Sequence, residues 1–166
     1  TEKPYWLQEA YSEAITGTDD GLVSRNLHNA RVTASLIRLI VGREGHFLDY
    51  GGGYGLLVRL MRDRGYDFYW QDKYASNLFA RGFEADRVKD GRFALVTMFE
   101  IMEHLVDPVA ELQQVCAQTD HLLFSTLLLP PGRPSPDSWW YFNPDHGQHI
   151  SIFTIKALSA VARRLG

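Results

Sequence analysis

"FLDYGGGYG" runs from Phe47 to Gly55: two apolar residues, a carboxylate at Asp49, an aromatic, and then four glycines in five positions. A glycine inside a strand or helix costs roughly 0.5–1 kcal/mol relative to alanine, so a cluster of them marks a place where backbone must turn tightly or be approached closely. The stretch predicts a buried strand that ends in a glycine-rich turn. On its upstream side Val23, Leu27, Ala30, Ala34, Ile37 and Val41 recur at steps of three and four, one stripe of a helix that Gly42 is placed to stop. On its downstream side Leu56, Leu57, Leu60 and Met61 share a helical face that ends at Gly65.

The same alternation continues toward the C-terminus. "YDFYWQD" (66–72) is rich in β-prone aromatics, and "RFALVTMFE" (92–100) is nearly continuous in apolar residues, the pattern of a strand buried on both faces. Asp107-Pro108 opens a helix, with aspartate as cap and proline at the first helical position, and that helix turns Val109, Leu112, Val115 and Cys116 inward. "HLLFSTLLLP" (121–130) reads as a further buried strand, and Thr154 as the cap of a last helix bearing Leu158, Val161 and Leu165. Between them lie four prolines, the aromatic block "WWYF" and a histidine-rich loop. "GFEADRVKDG" (82–91) leaves only a stub, Gly82 to Glu84, for a strand between the second and the long apolar one, so about five strands are expected.

Strands alternating with helices specify an α/β architecture, a mostly parallel, doubly wound Rossmann-like sheet. Residues 1–42, including a short helix over Tyr5–Ile15, are read as an N-terminal helical cap, and 43–166 as the ligand-binding domain, together one compact unit. The formal net charge of −3 and the absence of a basic stripe speak against a nucleic-acid partner. No apolar run approaches the ~18 residues of a membrane span and the N-terminus has no signal-peptide pattern, so a cytoplasmic protein with no membrane partner is expected. The single cysteine, Cys116, is read as a core thiol.

In doubly wound folds ligands lie outside the carboxyl ends of the strands, which is where residues 51–55 fall. The nicotinamide fingerprint G-x-G-x-x-G fails, because the sixth position from Gly51 is Leu56. The pattern is instead an acid followed by spaced glycines, and "FLDYGGGYG" resembles motif I of the class I S-adenosylmethionine-dependent methyltransferases. The segment "FEIMEHLVDP" (99–108) resembles the one after the fourth strand in their ubiquinone-biosynthesis-like, small-molecule group. "GQHIS" (147–151) resembles a run that precedes a helix in many of its members.

The resemblance implies S-adenosyl-L-methionine as cofactor, with S-adenosyl-L-homocysteine as product. Gly51, Gly52 and Gly53 would let the backbone meet it, Asp49 would serve its ammonium, and Asp72, about 20 residues on with Lys73 beside it, would grip the ribose. Glu100 would close the pocket, Arg25 would meet the cofactor carboxylate, and Phe83 or Glu84 would stand near the adenine. The implied reaction is an in-line methyl transfer to the O, C or N of a small-molecule acceptor. His149, His146 and His104 are the candidate proton acceptors or, alternatively, structural hydrogen-bonding groups. Trp139, Trp140 and Tyr141 either wall the acceptor or anchor a lid. His146, His149 and Asp145 match no standard zinc spacing, so no metal is expected. Family members end in an antiparallel strand pair that is missing here, which leaves a sheet edge for a homodimer partner or further chain to cover. From another class, the chain could serve as a non-catalytic S-adenosylmethionine-binding regulatory or assembly module.

Overall fold

The structure is a computed structural model and describes Trp6 and residues 20–132, 134–144 and 147–166. The helix expected over Tyr5–Ile15, apart from Trp6, and the residues Asp145 and His146 lie outside the described residues.

Four strands form one parallel sheet: β1 (Phe47–Tyr50), β2 (Phe68–Gln71), β3 (Leu95–Met98) and β4 (Leu122–Phe124), in the spatial order β2-β1-β3-β4. The register pairs Asp49 with Trp70 on one side and with Thr97 on the other. Among the described residues four α-helices accompany it: α1 (Leu22–Leu36), α2 (Leu56–Arg62), α3 (Pro108–Cys116) and α4 (Ile155–Leu165). Side chains along a strand alternate between faces, so β1 feeds two cores. Phe47 joins Ala30, Ala34 and Ile37 of the α1 region, Val58 and Met61 of α2, Phe68 and Leu95 on one face. Leu48 joins Val96, Met98, Leu112 and Val115, with Leu158 and Val161 of α4 packed against them, on the other. The chain is therefore wound on both faces of a parallel sheet, the α/β class the alternation predicts.

Local chemistry explains where the helices start and stop. The Asp107 carboxylate accepts from the Ala110 amide at 3.1 Å with Pro108 at the first helical position, and the Thr154 hydroxyl accepts from the Ala157 amide at 3.1 Å. α1 runs into a π-helical turn over Ile37–Val41 that Gly42 ends at φ 96°, a left-handed angle that disfavours a side chain. The predicted α1 stripe is buried from Ala30 to Ile37, but Val23, in the first turn of α1, is exposed.

Two strand expectations are corrected. The stub at Gly82–Glu84 makes only one parallel bridge, Glu84 to Trp70, so among the described residues the sheet has four strands rather than about five. β4 is not buried on both faces: it is an edge strand of three residues, Leu122 and Leu123 half-buried and Phe124 exposed, because no further strand among the described residues pairs with it. Cys116 is a free thiol, half-buried rather than fully in the core.

Candidate active site

The chain adds β2 to one side of β1 and then crosses to add β3 on the other, so the strand order reverses between β1 and β3. That reversal leaves a crevice at the carboxyl ends of the strands, where the loops diverge. A cavity of about 880 Å³ occupies it. Its wall includes Asp49 and Gly51–Gly53 from the end of β1, Asp72 and Lys73 from the end of β2, Glu100 and His104 after β3, and Arg25 from the first turn of α1. Asp49, Gly51, Gly52, Gly53, Asp72, Lys73, Glu100 and Arg25, predicted for the cofactor, thus line one cavity, whereas the adenine candidates Phe83 and Glu84 do not.

Several of these residues also hold the site together. Gly51 adopts φ +70°, and a Cβ there would overlap the Ile101 side chain. The Asp72 carboxylate accepts from the amides of Gly53 (2.9 Å), Tyr74 (2.7 Å) and Ala75 (2.7 Å), tying the glycine turn to the end of β2. A carboxylate offers about four lone-pair sites, so three backbone bonds leave about one for a ligand hydroxyl. Trp70, which sequence reasoning passed over, donates its indole N–H to the Gly53 carbonyl at 2.9 Å and braces the same turn from below.

Asp49 is buried, and burial pushes its carboxyl up to about 7 against the pull of a 2.7 Å hydrogen bond from the Thr97 hydroxyl; the Asp72 charge adds a smaller push. An uncompensated carboxylate in such a place favours a cationic partner. Glu100 takes a left-handed backbone angle, φ 56°, uncommon for a residue with a side chain. Ser125 holds it there: the hydroxyl donates to the Glu100 carboxylate at 2.6 Å and accepts from the Glu100 amide at 3.0 Å. Tyr50 donates to Glu111 across the cavity wall, and burial together with that carboxylate holds its phenol above the usual range.

The histidines divide. His104 lines the cavity, and burial, then the neighbouring His149, pushes it down to about 4, so its imidazole is neutral at physiological pH. His149 does not line the cavity; its Nδ1 faces the Tyr141 carbonyl at 2.5 Å and its ring meets that of His104 edge-on at 4.9 Å. Trp139, Trp140 and Tyr141 do not line the cavity either. Tyr141 is buried and its hydroxyl accepts from the Leu127 amide at 3.1 Å, which fastens the loop, while Trp140 is exposed. From that loop Asn143 and Gln148 reach the cavity instead.

Phe83 and Glu84 stay away from the cavity: the Arg62 guanidinium covers the Phe83 ring at 3.6 Å, and Glu84 accepts from Asn77 and Arg87. Asn26, Asn29, Tyr54, Tyr74 and Ile101 also line the wall. No motif singles them out, because only the packing of α1 and of the loops after β1, β2 and β3 brings them there.

Residues 23–166 match the model of a family described as "Methyltransferase domain". The chain belongs to the class I S-adenosylmethionine-dependent methyltransferases. Among solved structures it is similar to a Thermotoga maritima protein described as "SAM-dependent methyltransferase, possible histamine N-methyltransferase", at 15% identity and TM-score 0.48, over 88% of this chain and 73% of that one. No curated protein matches. In this methyltransferase domain the donor set fits the family's cofactor: an acid buried beside a glycine turn that could meet an ammonium, and a second acid at the end of β2 with about one lone pair left for a ribose hydroxyl. Among the described residues no helix is long and apolar enough to cross a membrane.

Proposed function

We propose that this methyltransferase binds S-adenosyl-L-methionine in the cavity at the ends of β1, β2 and β3 and transfers its methyl group to a small-molecule acceptor in the cytoplasm. The observation that carries the reading is the convergence of Asp49, the glycine turn, Asp72 and Glu100 on one cavity at the strand-order reversal. Asp49 would hold the ammonium, Asp72 and Lys73 the ribose side, and Arg25 the carboxylate. The cofactor supplies an electrophilic methyl on a sulfonium whose charge disperses as transfer proceeds. The protein therefore contributes alignment and exclusion of water, and well-oriented reactants can supply about 7–11 kcal/mol.

A volume of about 880 Å³ lies in the range of small-molecule sites and supports a compact acceptor beside the cofactor. His104, neutral and on the wall, would offer its lone pair to the acceptor end of the cavity without acting as a base, since a group pushed down to about 4 holds a proton too weakly to take one from a hydroxyl. His149 and Tyr141 would act from behind, setting the loop that brings Asn143 and Gln148 to the cavity. The test is calorimetric titration with S-adenosylmethionine and S-adenosylhomocysteine, followed by an acceptor screen that reads S-adenosylhomocysteine formation. Saturable binding of both with turnover of a small acceptor is expected. Binding without turnover of any acceptor would favour a non-catalytic binding module, and failure of a folded chain to bind either would refute the reading.

A further inference from the structure

We propose that Glu103, His104 and His149 form a binding site for a first-row divalent cation of the Mn²⁺, Co²⁺ or Zn²⁺ kind. Each of the three offers one ligand atom, and these atoms lie within 4.8 Å of one another. Metal bonds of about 2.0–2.2 Å in a tetrahedral shell place ligand atoms about 3.3–3.6 Å apart, so side-chain rotations that move these atoms by up to about an ångström close the set around one ion.

Glu103 is fully buried, and neither of its carboxylate oxygens has a hydrogen-bond partner. The Tyr141 hydroxyl is near enough to pull on that carboxyl but closes no hydrogen bond with it. A buried carboxyl group left without partners is costly, and a bound cation is one of the few groups that would satisfy both oxygens. The main chain meanwhile holds the cluster in place. The Glu103 carbonyl accepts from the amides of Ile150 and Ser151, both at 2.9 Å, which staples the loop carrying His149 onto the turn carrying Glu103 and His104.

Each imidazole is also anchored at a backbone group. His149 Nδ1 lies 2.5 Å from the Tyr141 carbonyl, a contact that selects the Nδ1–H tautomer and puts the lone pair on Nε2, and His104 bonds the backbone of Gln148. Metal-ligating histidines show this arrangement, one ring nitrogen on the metal and the other fixed to a carbonyl or carboxylate. Two imidazoles and one carboxylate suit borderline first-row cations better than Mg²⁺ or Ca²⁺, which take oxygen ligands. Three protein ligands leave coordination positions open, and since His104 lines the cavity, a bound ion would stand at its wall where an oxygen of the acceptor could complete the shell.

The experiment uses the untagged full chain, freed of metal by a chelator and titrated with Co²⁺ by visible absorption and with Zn²⁺ and Mn²⁺ by calorimetry. One ion per chain is expected, with a rise in melting temperature. Glu103→Gln, which keeps the shape and removes the charge, should weaken binding by about a hundredfold or more. His149→Ala, at a half-buried position, is the second variant should the first fail to fold, and Glu84→Gln, outside the cluster, should leave binding unchanged. S-adenosylhomocysteine is titrated into the same samples. A chain that binds it but takes up none of the three cations one-to-one overturns the cation site and leaves the methyltransferase reading standing. A chain that binds the cation but not S-adenosylhomocysteine supports the cation site and counts against that reading. Stoichiometric binding indifferent to both cluster variants also overturns the site and leaves Glu103 as an uncharged acid in the core.

Discussion

Protonation of Asp49 should govern cofactor affinity near neutral pH. In the free protein its carboxyl titrates at about 7, so near that pH about half of the molecules carry a proton there. A cofactor ammonium beside it favours the carboxylate, and binding then expels that proton. Between about pH 7 and pH 5.5, where an amino-acid ammonium stays charged, the fraction of ionised Asp49 falls from about one half to about 3%. Affinity should drop about 15-fold over that interval. Calorimetry at about pH 7 in two buffers of different ionisation enthalpy should report release of about half a proton per cofactor bound.

Stability moves the other way. Asp49 is raised in the folded state from 3.8 to about 7, so its contribution is fully present below about pH 4 and is lost as pH rises through about 7. Above that the buried carboxylate costs the cofactor-free chain up to about 4 kcal/mol, since each tenfold weakening of the acid on folding is worth about 1.4 kcal/mol. Asp49→Asn keeps an oxygen for the Thr97 hydroxyl and removes the charge. It should therefore raise the melting temperature of the cofactor-free chain at about pH 8 by several degrees, while abolishing the pH dependence of binding and weakening the cofactor by one to two decades. A flat affinity between pH 7 and 5.5, or a slope that survives in Asp49→Asn, would refute the pairing of this carboxylate with the ammonium.

Three further outcomes are expected. Asp72→Asn replaces an acceptor facing the Gly53 amide with a second N–H or leaves Tyr74 and Ala75 so opposed, and it should weaken the cofactor at least tenfold, read by calorimetry, with a stability loss of about 1–3 kcal/mol in urea. Gly55→Ala forces a side chain onto φ +84° with its Cβ 2.9 Å from the Ala80 Cβ and 3.1 Å from the Ala80 amide nitrogen, backbone that no rotamer change relieves; a destabilisation of about 2–4 kcal/mol is expected in the same denaturation assay. Thr154→Ala removes the α4 cap and should lower stability by about 1 kcal/mol, a shift of roughly 2–4 °C, with cofactor affinity unchanged.

The division between what was legible in the residues and what was not follows the range of the interactions. Caps, stops and glycine turns involve neighbours a few positions apart, so Asp107, Thr154, Gly42 and the turn after β1 could be read directly. The acids at the ends of β1 and β2 were legible for a related reason: strand ends point to one edge of a parallel sheet, so their convergence follows once the element order is known. β4 was misjudged because an apolar run states that a segment can be buried, whereas burial depends on whether another strand lies beside it.

Sequence by itself determined the alternating architecture, the place of the cavity and the acids around it, because periodicity and turn chemistry are local and the parallel sheet has a fixed polarity. Only the tertiary structure decided that Glu103 and His104 meet His149, that Tyr141 fastens a loop instead of lining the cavity, and that α1 lends two asparagines to the wall beside Arg25. Those contacts join segments far apart in the chain, and their geometry comes from packing and from main-chain bonds such as those of Ile150 and Ser151 to Glu103, which no spacing rule encodes.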